Sequence, residues 1–387
     1  MSLLVLSAHD VDTVSASFKP EELQLLMAQV FGRLSAYIPA TATAAADDGA
    51  AGISMPHRTS IYTSNHTVLF MPARIGAPDA TAASGEATTG DTAIKVVSVP
   101  NRTDARGLPA TTLVLDEESG ATKAVINARK LTALRNAAGS LLSTSLVGPS
   151  DPRVVVAFGA GQQIASHLDL HIRHFPSISH VVIVNRALNE RALALKSRLT
   201  ARFPAVKVSL FISDVSSVES YVRLADVIVC ATSAAEPLFP GAWVKTGAHV
   251  ILVGSYKPSM REVDRALVLR SVHVAPSADV APVLLVDSRA ACLREAGELI
   301  DAQLDEARLT ELGELIPLDA TGQVDLGRYH ALLTATRPRH DVPGFDGPVT
   351  IFKSVGVGLQ DVAIASAIVA KAAELGEIGT VISNYDS

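Results

Sequence analysis

Only two cysteines, Cys230 and Cys292, occur in 387 residues. The chain can therefore close one disulfide at most, and neither cysteine sits at a metal-ligand spacing. Both read as small buried hydrophobes. Histidine does not fill the gap, because His57, His66, His330 and His340 are scattered without a ligand pattern; no metal is expected. Basic charge is also short, with 33 Lys and Arg against 39 Asp and Glu and a formal net charge of −6. That balance leaves no electrostatic footprint for nucleic acid. No apolar run approaches bilayer length, and the opening MSLLVLSAHD carries no basic leader before its brief apolar stretch. A soluble, cytoplasmic protein is expected, with neither membrane nor nucleic acid as partner.

With 48% hydrophobic and 19% charged residues, a chain of this length can bury a sizeable core and divides most naturally into two domains. Two low-complexity stretches, Pro39 to Gly52 and Gly76 to Ala93, are small and polar-leaning, with little apolar surface to bury, and read as solvated loops or insertions. From Val154 onward the texture alternates. Strand candidates are VVVAF, HVVIVN (His180 to Asn185), VKVSLF (Val206 to Phe211), DVIVCA (Asp226 to Ala231), HVILVG (His249 to Gly254) and SVHVA (Ser271 to Ala275). Between the first two, Ile164, Leu168, Ile172 and Phe175 share one helical face; between the next two, Leu188, Ala192, Leu195, Leu199 and Phe203 do the same. Continuous Val/Ile runs separated by amphipathic helices are what a parallel sheet covered on both faces requires, so the class is α/β with a doubly wound unit. After the Gly/Pro-rich Arg337 to Pro348, the tail reads as one more strand and an Ala-rich helix over Asp361 to Leu375.

The stretch VVVAFGAGQQIASH, Val154 to His167, gives that unit its chemistry. Gly159, Ala160 and Gly161 stand between a first strand and a helix opened by Gln162 and Gln163. A Gly-x-Gly there lets the backbone approach a diphosphate, whose charge meets free amides and the positive end of the helix dipole. The third small position is Ile164, with Ala165 following. The second strand ends in Asn185 and Arg186, where a dinucleotide site reads its ribose. An acid there would accept from a 2′-hydroxyl; Arg186 is a donor fork suited to a 2′-phosphate. NADPH is the expected cofactor, with NADH the alternative.

The series GAGQQIASH, VVIVNRALNERA, Ala225-Asp-Val-Ile-Val, WVKTGAHVILVGS, MREVD and IFKSVGVGLQD resembles the ornithine cyclodeaminase and mu-crystallin family. The likeness extends upstream through Met71-Pro72, Lys95-Val96-Val97, Asn101 and GLPATTLVLDEESGATKAVINARKLTALRNAA. It implies a Rossmann-type sheet, residues 131–337, inserted in an α+β substrate-binding and dimerisation domain, residues 1–130 and 338–387, in a homodimer. Arg58, Lys95 and Arg135 match the family's substrate-contacting cations, a set suited to clamping the carboxylate of a small amino or imino acid. Glu295 resembles a family glutamate near the substrate. Lys353, Ser354 and Gly356 match the segment near the nicotinamide, and Thr232 and Gly254 complete the expected cofactor contacts. Asn136 replaces a usual Thr in a position that serves the cofactor phosphates. Asp361 reads as a cap or first-turn residue of the last helix, and His167 as a packed helix residue.

Tyr256 is the most diagnostic departure. Ornithine-cyclising and several amino-acid-oxidising relatives carry Asp there. A phenol with an ordinary pKa of about 10 is neutral and cannot act as their base. Reduction of a preformed cyclic imine needs no such base, and Lys95 can orient the carboxylate or supply a proton. The resemblance therefore implies a reductase of small cyclic ketimines with Lys95 and Tyr256 at the reacting centre. A cyclodeaminase or amino-acid dehydrogenase, and an NADPH-holding ligand-binding protein with little turnover, are the competing readings.

Overall fold

The computed structural model describes residues 2–37, 52–56, 58–77, 90–101, 108–213, 217–272, 283–335 and 344–385. The chain divides into two compact units: Met1–Arg135, Pro317–Asp325 and Val357–Ser387 form the first, and Asn136–Ile316 with Leu326–Gly356 form the second.

The second unit is a parallel sheet in the order Lys207–Ile212, His180–Asn185, Val154–Phe158, Val227–Cys230, His249–Leu252, Thr350–Lys353, Val283–Val286, Thr310–Glu311. Every neighbouring pair in that list is parallel. The inner strands are buried along nearly their whole length, as Val/Ile runs covered on both faces must be. The chain leaves Val154–Phe158 in one direction, adds two strands, and returns to place Val227–Cys230 on its other side. That reversal makes a crevice at the carboxyl ends, where doubly wound sheets bind their ligands. Helix Gln162–His174 buries Ile164, Leu168 and Ile172, and helix Glu190–Arg202 buries Ala192, Leu195 and Leu199. Leu188 precedes the second helix and is 51% exposed, so it is not part of the packed stripe.

The first unit carries a second sheet. Its order is Thr380–Ile382, Leu3–Leu6, Thr122–Asn127, Ala110–Leu115, Asp91–Pro100, His66–Ile75, with Ile53–Ser54 and Thr59–Tyr62 both paired to His66–Ile75. Only the Leu3–Leu6 and Thr122–Asn127 pair is parallel. Alternation defines its covered face: Lys95, Thr112 and Ile126 lie opposite one another across three strands, flanked by Ala93, Val114 and Ala124, and all six are buried. Helix Gly358–Leu375 packs on His66–Ile75 and Asp91–Pro100. A Cβ on Gly358 would lie 3.3 Å from the Ala73 Cβ, so glycine lets the first turn of that helix approach the sheet closely.

Three expectations change. The strand after the Gly/Pro-rich segment does not stay with the substrate domain: Thr350–Lys353 is hydrogen-bonded between His249–Leu252 and Val283–Val286, because its four residues are wholly apolar or buried and need partners on both sides. Conversely Leu131 to Arg135 and Pro317–Asp325 belong to the first unit, so the boundaries differ from 1–130, 131–337 and 338–387. Of SVHVA, Ser271 and Val272 form a turn after helix Arg265–Arg270 and residues 273–275 lie outside the described residues; Val283–Val286, not expected from the sequence, pairs with Thr350–Lys353. Of the low-complexity stretches, 39–51 and 78–89 lie outside the described residues, whereas Asp91 to Ala93 open a strand in register with Ala73 to Ile75. Among the described residues no helix is long and apolar enough to cross a membrane.

Candidate active site

The glycine loop adopts the backbone its sequence demands. Gly159 has φ +112°, a conformation that side chains rarely tolerate. Its N–H donates to the Val184 carbonyl at 2.8 Å, tying the loop to the next strand. Gly161 is the N-cap of helix Gln162–His174 and supplies no side-chain cap. A Cβ there would meet nothing within 4 Å, so the space at the helix terminus is open; the first-turn residues Gln162 and Gln163 themselves are not among those that line the cavity it faces. Such a terminus is an anion site by geometry and dipole. It opens on a cavity of about 340 Å³ lined by Gly159, Ala160, Gly161, Asn185, Arg186 and Thr232, and also by Arg191 and Ser213. The Asn185 amide donates to the Ala187 carbonyl at 2.7 Å, which fixes the turn that presents Arg186. The cradle fits a dinucleotide: bare amides for the diphosphate and two guanidinium groups farther along.

The first unit holds a buried charge cluster. Lys95 Nζ lies 2.6 Å from Asp361 Oδ2, and Arg135 Nε lies 3.3 Å from Asp361 Oδ1. Arg135 Nη1 donates to Gln360 Oε1 at 2.7 Å, and all four residues are at most 5% exposed. With the lysine protonated, Lys95, Arg135 and Asp361 sum to one positive charge. Burial alone would raise the Asp361 carboxyl, but the Arg135 and Lys95 charges outweigh it and hold the group below its ordinary value. Burial pushes the Lys95 ammonium below its ordinary value; Asp361 opposes this in part, while Arg135 and Arg58 add to it. Arg58 itself is exposed. Asn136 follows Arg135 on helix Leu131–Val147, at the start of the second unit.

A family model described as the ornithine cyclodeaminase/mu-crystallin family matches residues 41–332. The chain belongs to that family. Ketimine reductase mu-crystallin of Mus musculus is 30% identical over 325 residues, covering 82% of this chain and 85% of the mouse protein. Delta(1)-pyrroline-2-carboxylate reductase of Paracoccus denitrificans is 30% identical over 279 residues, covering 71% and 77%. Among solved structures, the Thermococcus litoralis Delta(1)-pyrroline-2-carboxylate reductase in complex with NADH and L-proline superposes with a TM-score of 0.70 at 23% identity, covering 97% of this chain and 99% of the other.

Within this member of the ornithine cyclodeaminase/mu-crystallin family, some expected residues sit differently. Lys353, expected in the segment near the nicotinamide, is fully buried, its ammonium 3.1 Å from Glu298 and donating to Ser255 Oγ at 2.5 Å inside the second unit. Ser354 Oγ and the Gly356 N–H both donate to buried Asp287, at 2.7 and 2.6 Å, which fixes the loop after the strand. Glu295 ends helix Arg289–Glu295 and lies 3.8 Å from Arg294, whereas Glu298 is the glutamate that turns inward. Tyr256 is 41% exposed on the loop after strand His249–Leu252, its ring centroid 5.6 Å from the Lys257 ammonium. Four residues of weight escaped the sequence: Asp361 and Gln360, which organise the cations, Arg191, which joins Arg186 at the cavity, and Glu262, which binds two loops together. Arg191 alone had a usable signal, a second Arg five positions after Arg186 at the start of helix Glu190–Arg202. Cys230 and Cys292 are buried and unbridged. Among the described residues no group of three or more His, Cys, Asp or Glu could hold a metal; His57 and His340 lie outside them.

Proposed function

We propose that this protein reduces the C=N bond of small cyclic imino acids, of the pyrroline- or piperideine-2-carboxylate class, with NADPH preferred over NADH, and that it does so as a cytoplasmic homodimer. The observation that carries the reading is the buried Lys95–Asp361–Arg135 cluster, whose net positive charge suits a small carboxylate in place of bulk water. The curated relatives named for ketimine and pyrroline-2-carboxylate reduction support it. Bound NADPH supplies a hydride to the imine carbon. Asp361 holds both cations in place, Arg135 takes the substrate carboxylate, and Lys95, whose ammonium burial lowers from its ordinary value, orients that carboxylate or gives a proton to the ring nitrogen so that the amine leaves neutral. Arg58 adds to the same field. Tyr256 puts a phenol at the position where a carboxylate base for oxidation of an amine would stand. Arg186 and Arg191 favour the phosphorylated nucleotide, as two donor forks lining one cavity with Ser213.

A panel assay decides among the readings. NADPH oxidation is followed with cyclic ketimines, with open 2-oxo acids plus amines, and with ornithine. Turnover confined to the cyclic ketimines is expected; ammonia release from ornithine with NAD would overturn the reading in favour of a cyclodeaminase, and tight NADPH binding without turnover in favour of a ligand-holding protein.

A further inference from the structure

Two adjacent strands of the second unit, Val227–Cys230 and His249–Leu252, end in loops whose first polar groups converge on one side chain. Glu262 Oε1 accepts from the Thr232 N–H at 2.6 Å and the Thr232 hydroxyl at 3.0 Å, and Oε2 accepts from the Gly254 N–H at 2.7 Å. The glutamate is itself anchored: its carbonyl accepts from Leu238 N–H, and the preceding Arg261 N–H donates to the Ala234 carbonyl, both at 2.9 Å. Packing is so close that a Cβ on Gly254 would collide with the Thr232 carbonyl oxygen and with the Glu262 carboxylate. Thr232 lines the nucleotide cavity, and Gly254 leads directly into Ser255 and Tyr256.

We propose that Glu262 is a positioning residue whose ionised carboxylate latches the Thr232 and Gly254 loops into the shape that binds the nicotinamide cofactor, so that its protonation loosens cofactor binding. This rests on the reading of that cavity as the cofactor site. The chemistry is one of counting. A carboxylate offers acceptors to all three donors, whereas a protonated carboxyl turns one oxygen into a donor facing another donor. The groups around Glu262 set where that happens. Lys353 approaches from strand Thr350–Lys353 and Glu298 from helix Gly297–Asp301, bridged by the Ser255 hydroxyl, which donates to Glu298 at 2.5 Å. The buried Cys230 thiol is pushed well above its ordinary value and stays neutral. Burial raises Glu262, Lys353 lowers it, the Thr232 N–H lowers it further, Glu298 raises it, and the result is about 7.

Equilibrium titration of the full chain with NADH and with NADPH, by fluorescence from pH 6 to 8.5, tests this. Both nucleotides are used because the 2′-phosphate of NADPH has its own titration. Affinity for each is expected to fall as pH drops through neutrality, approaching about tenfold per pH unit below the inflection. Glu262→Gln should bind weakly with a flat profile. Should that variant not fold, Lys353→Met should move the inflection to higher pH and Glu298→Gln to lower pH, opposite shifts that general loosening would not give. A wild-type profile flat across the range, or a Glu262→Gln profile parallel to wild type, overturns the latch alone. Failure of both nucleotides to bind at every pH overturns the cofactor site and the latch with it.

Discussion

Lowering the pH from 7.5 to 5.5 should destabilise the protein through two histidines packed inside the second unit. His167 Nδ1 lies 2.7 Å from the Gln163 carbonyl and Nε2 lies 2.9 Å from Ser140 Oγ. His171 repeats the arrangement one turn on, 2.7 Å from the His167 carbonyl and 3.0 Å from Thr144 Oγ1. A carbonyl only accepts, so each Nδ1 carries its hydrogen and the neutral ring fills the site. Burial lowers His167 to about 4, and burial with the His167 charge lowers His171 to about 3. Because both folded values lie below the unfolded value near 6.5, the unfolded chain binds more protons below that pH. Their contribution is therefore complete above pH 6.5 and lost progressively as pH falls toward 4 and 3. At pH 5.5 the unfolded state gains RT ln 11, about 1.4 kcal/mol per ring and about 3 kcal/mol for the pair. Urea unfolding at the two pH values measures the loss. Carboxylates titrate too, so the decisive comparison is with His171→Gln, which should lose about 1.4 kcal/mol less between pH 7.5 and 5.5 than wild type does. An identical loss in both proteins would refute the claim that the His171 ring is held neutral.

Asp361→Asn removes the carboxylate shared by two buried cations and should cost about 3–5 kcal/mol of stability, read by denaturant unfolding, with reductase turnover lost in the same variant. Replacing both Arg186 and Arg191 by Ala should raise the KM for NADPH by about 10- to 100-fold while changing that for NADH little, as steady-state kinetics with each nucleotide would show. Gly254→Ala should destabilise by about 3 kcal/mol or more, since the added methyl meets a backbone carbonyl and a buried carboxylate that cannot retreat; a thermal melt close to wild type would contradict the packing.

The Rossmann half was legible because its signals are local. Val/Ile runs and a Gly-x-Gly between strand and helix need no distant partner to be read. Strand Val283–Val286 was missed because four apolar residues carry no period, and SVHVA, with the same texture, stood nearby. The first unit depends on contacts that sequence does not encode locally. Asp361 looks like any first-turn acid, and its partner Lys95 is 266 positions away; only the packing of the last helix on one face of the sheet joins them. Glu295 and Glu298 differ by three positions, yet Ala296 leaves the helical region at φ −82°, ψ 103° and restarts the chain as a second short helix. That break, which periodicity passes over, turns Glu298 inward toward Lys353.

The central claim is that a buried pair of cations recognises the carboxylate of a cyclic imine. The most direct measurement compares kcat/KM for NADPH-driven reduction of pyrroline-2-carboxylate with that of the same ring lacking its carboxylate. Loss of a charge-assisted contact of about 1.5–3 kcal/mol predicts a drop of about 10- to 150-fold, and Lys95→Met should cut turnover of the carboxylated ring more than it weakens NADPH binding. Equal rates on the two rings in the wild-type protein would contradict the account.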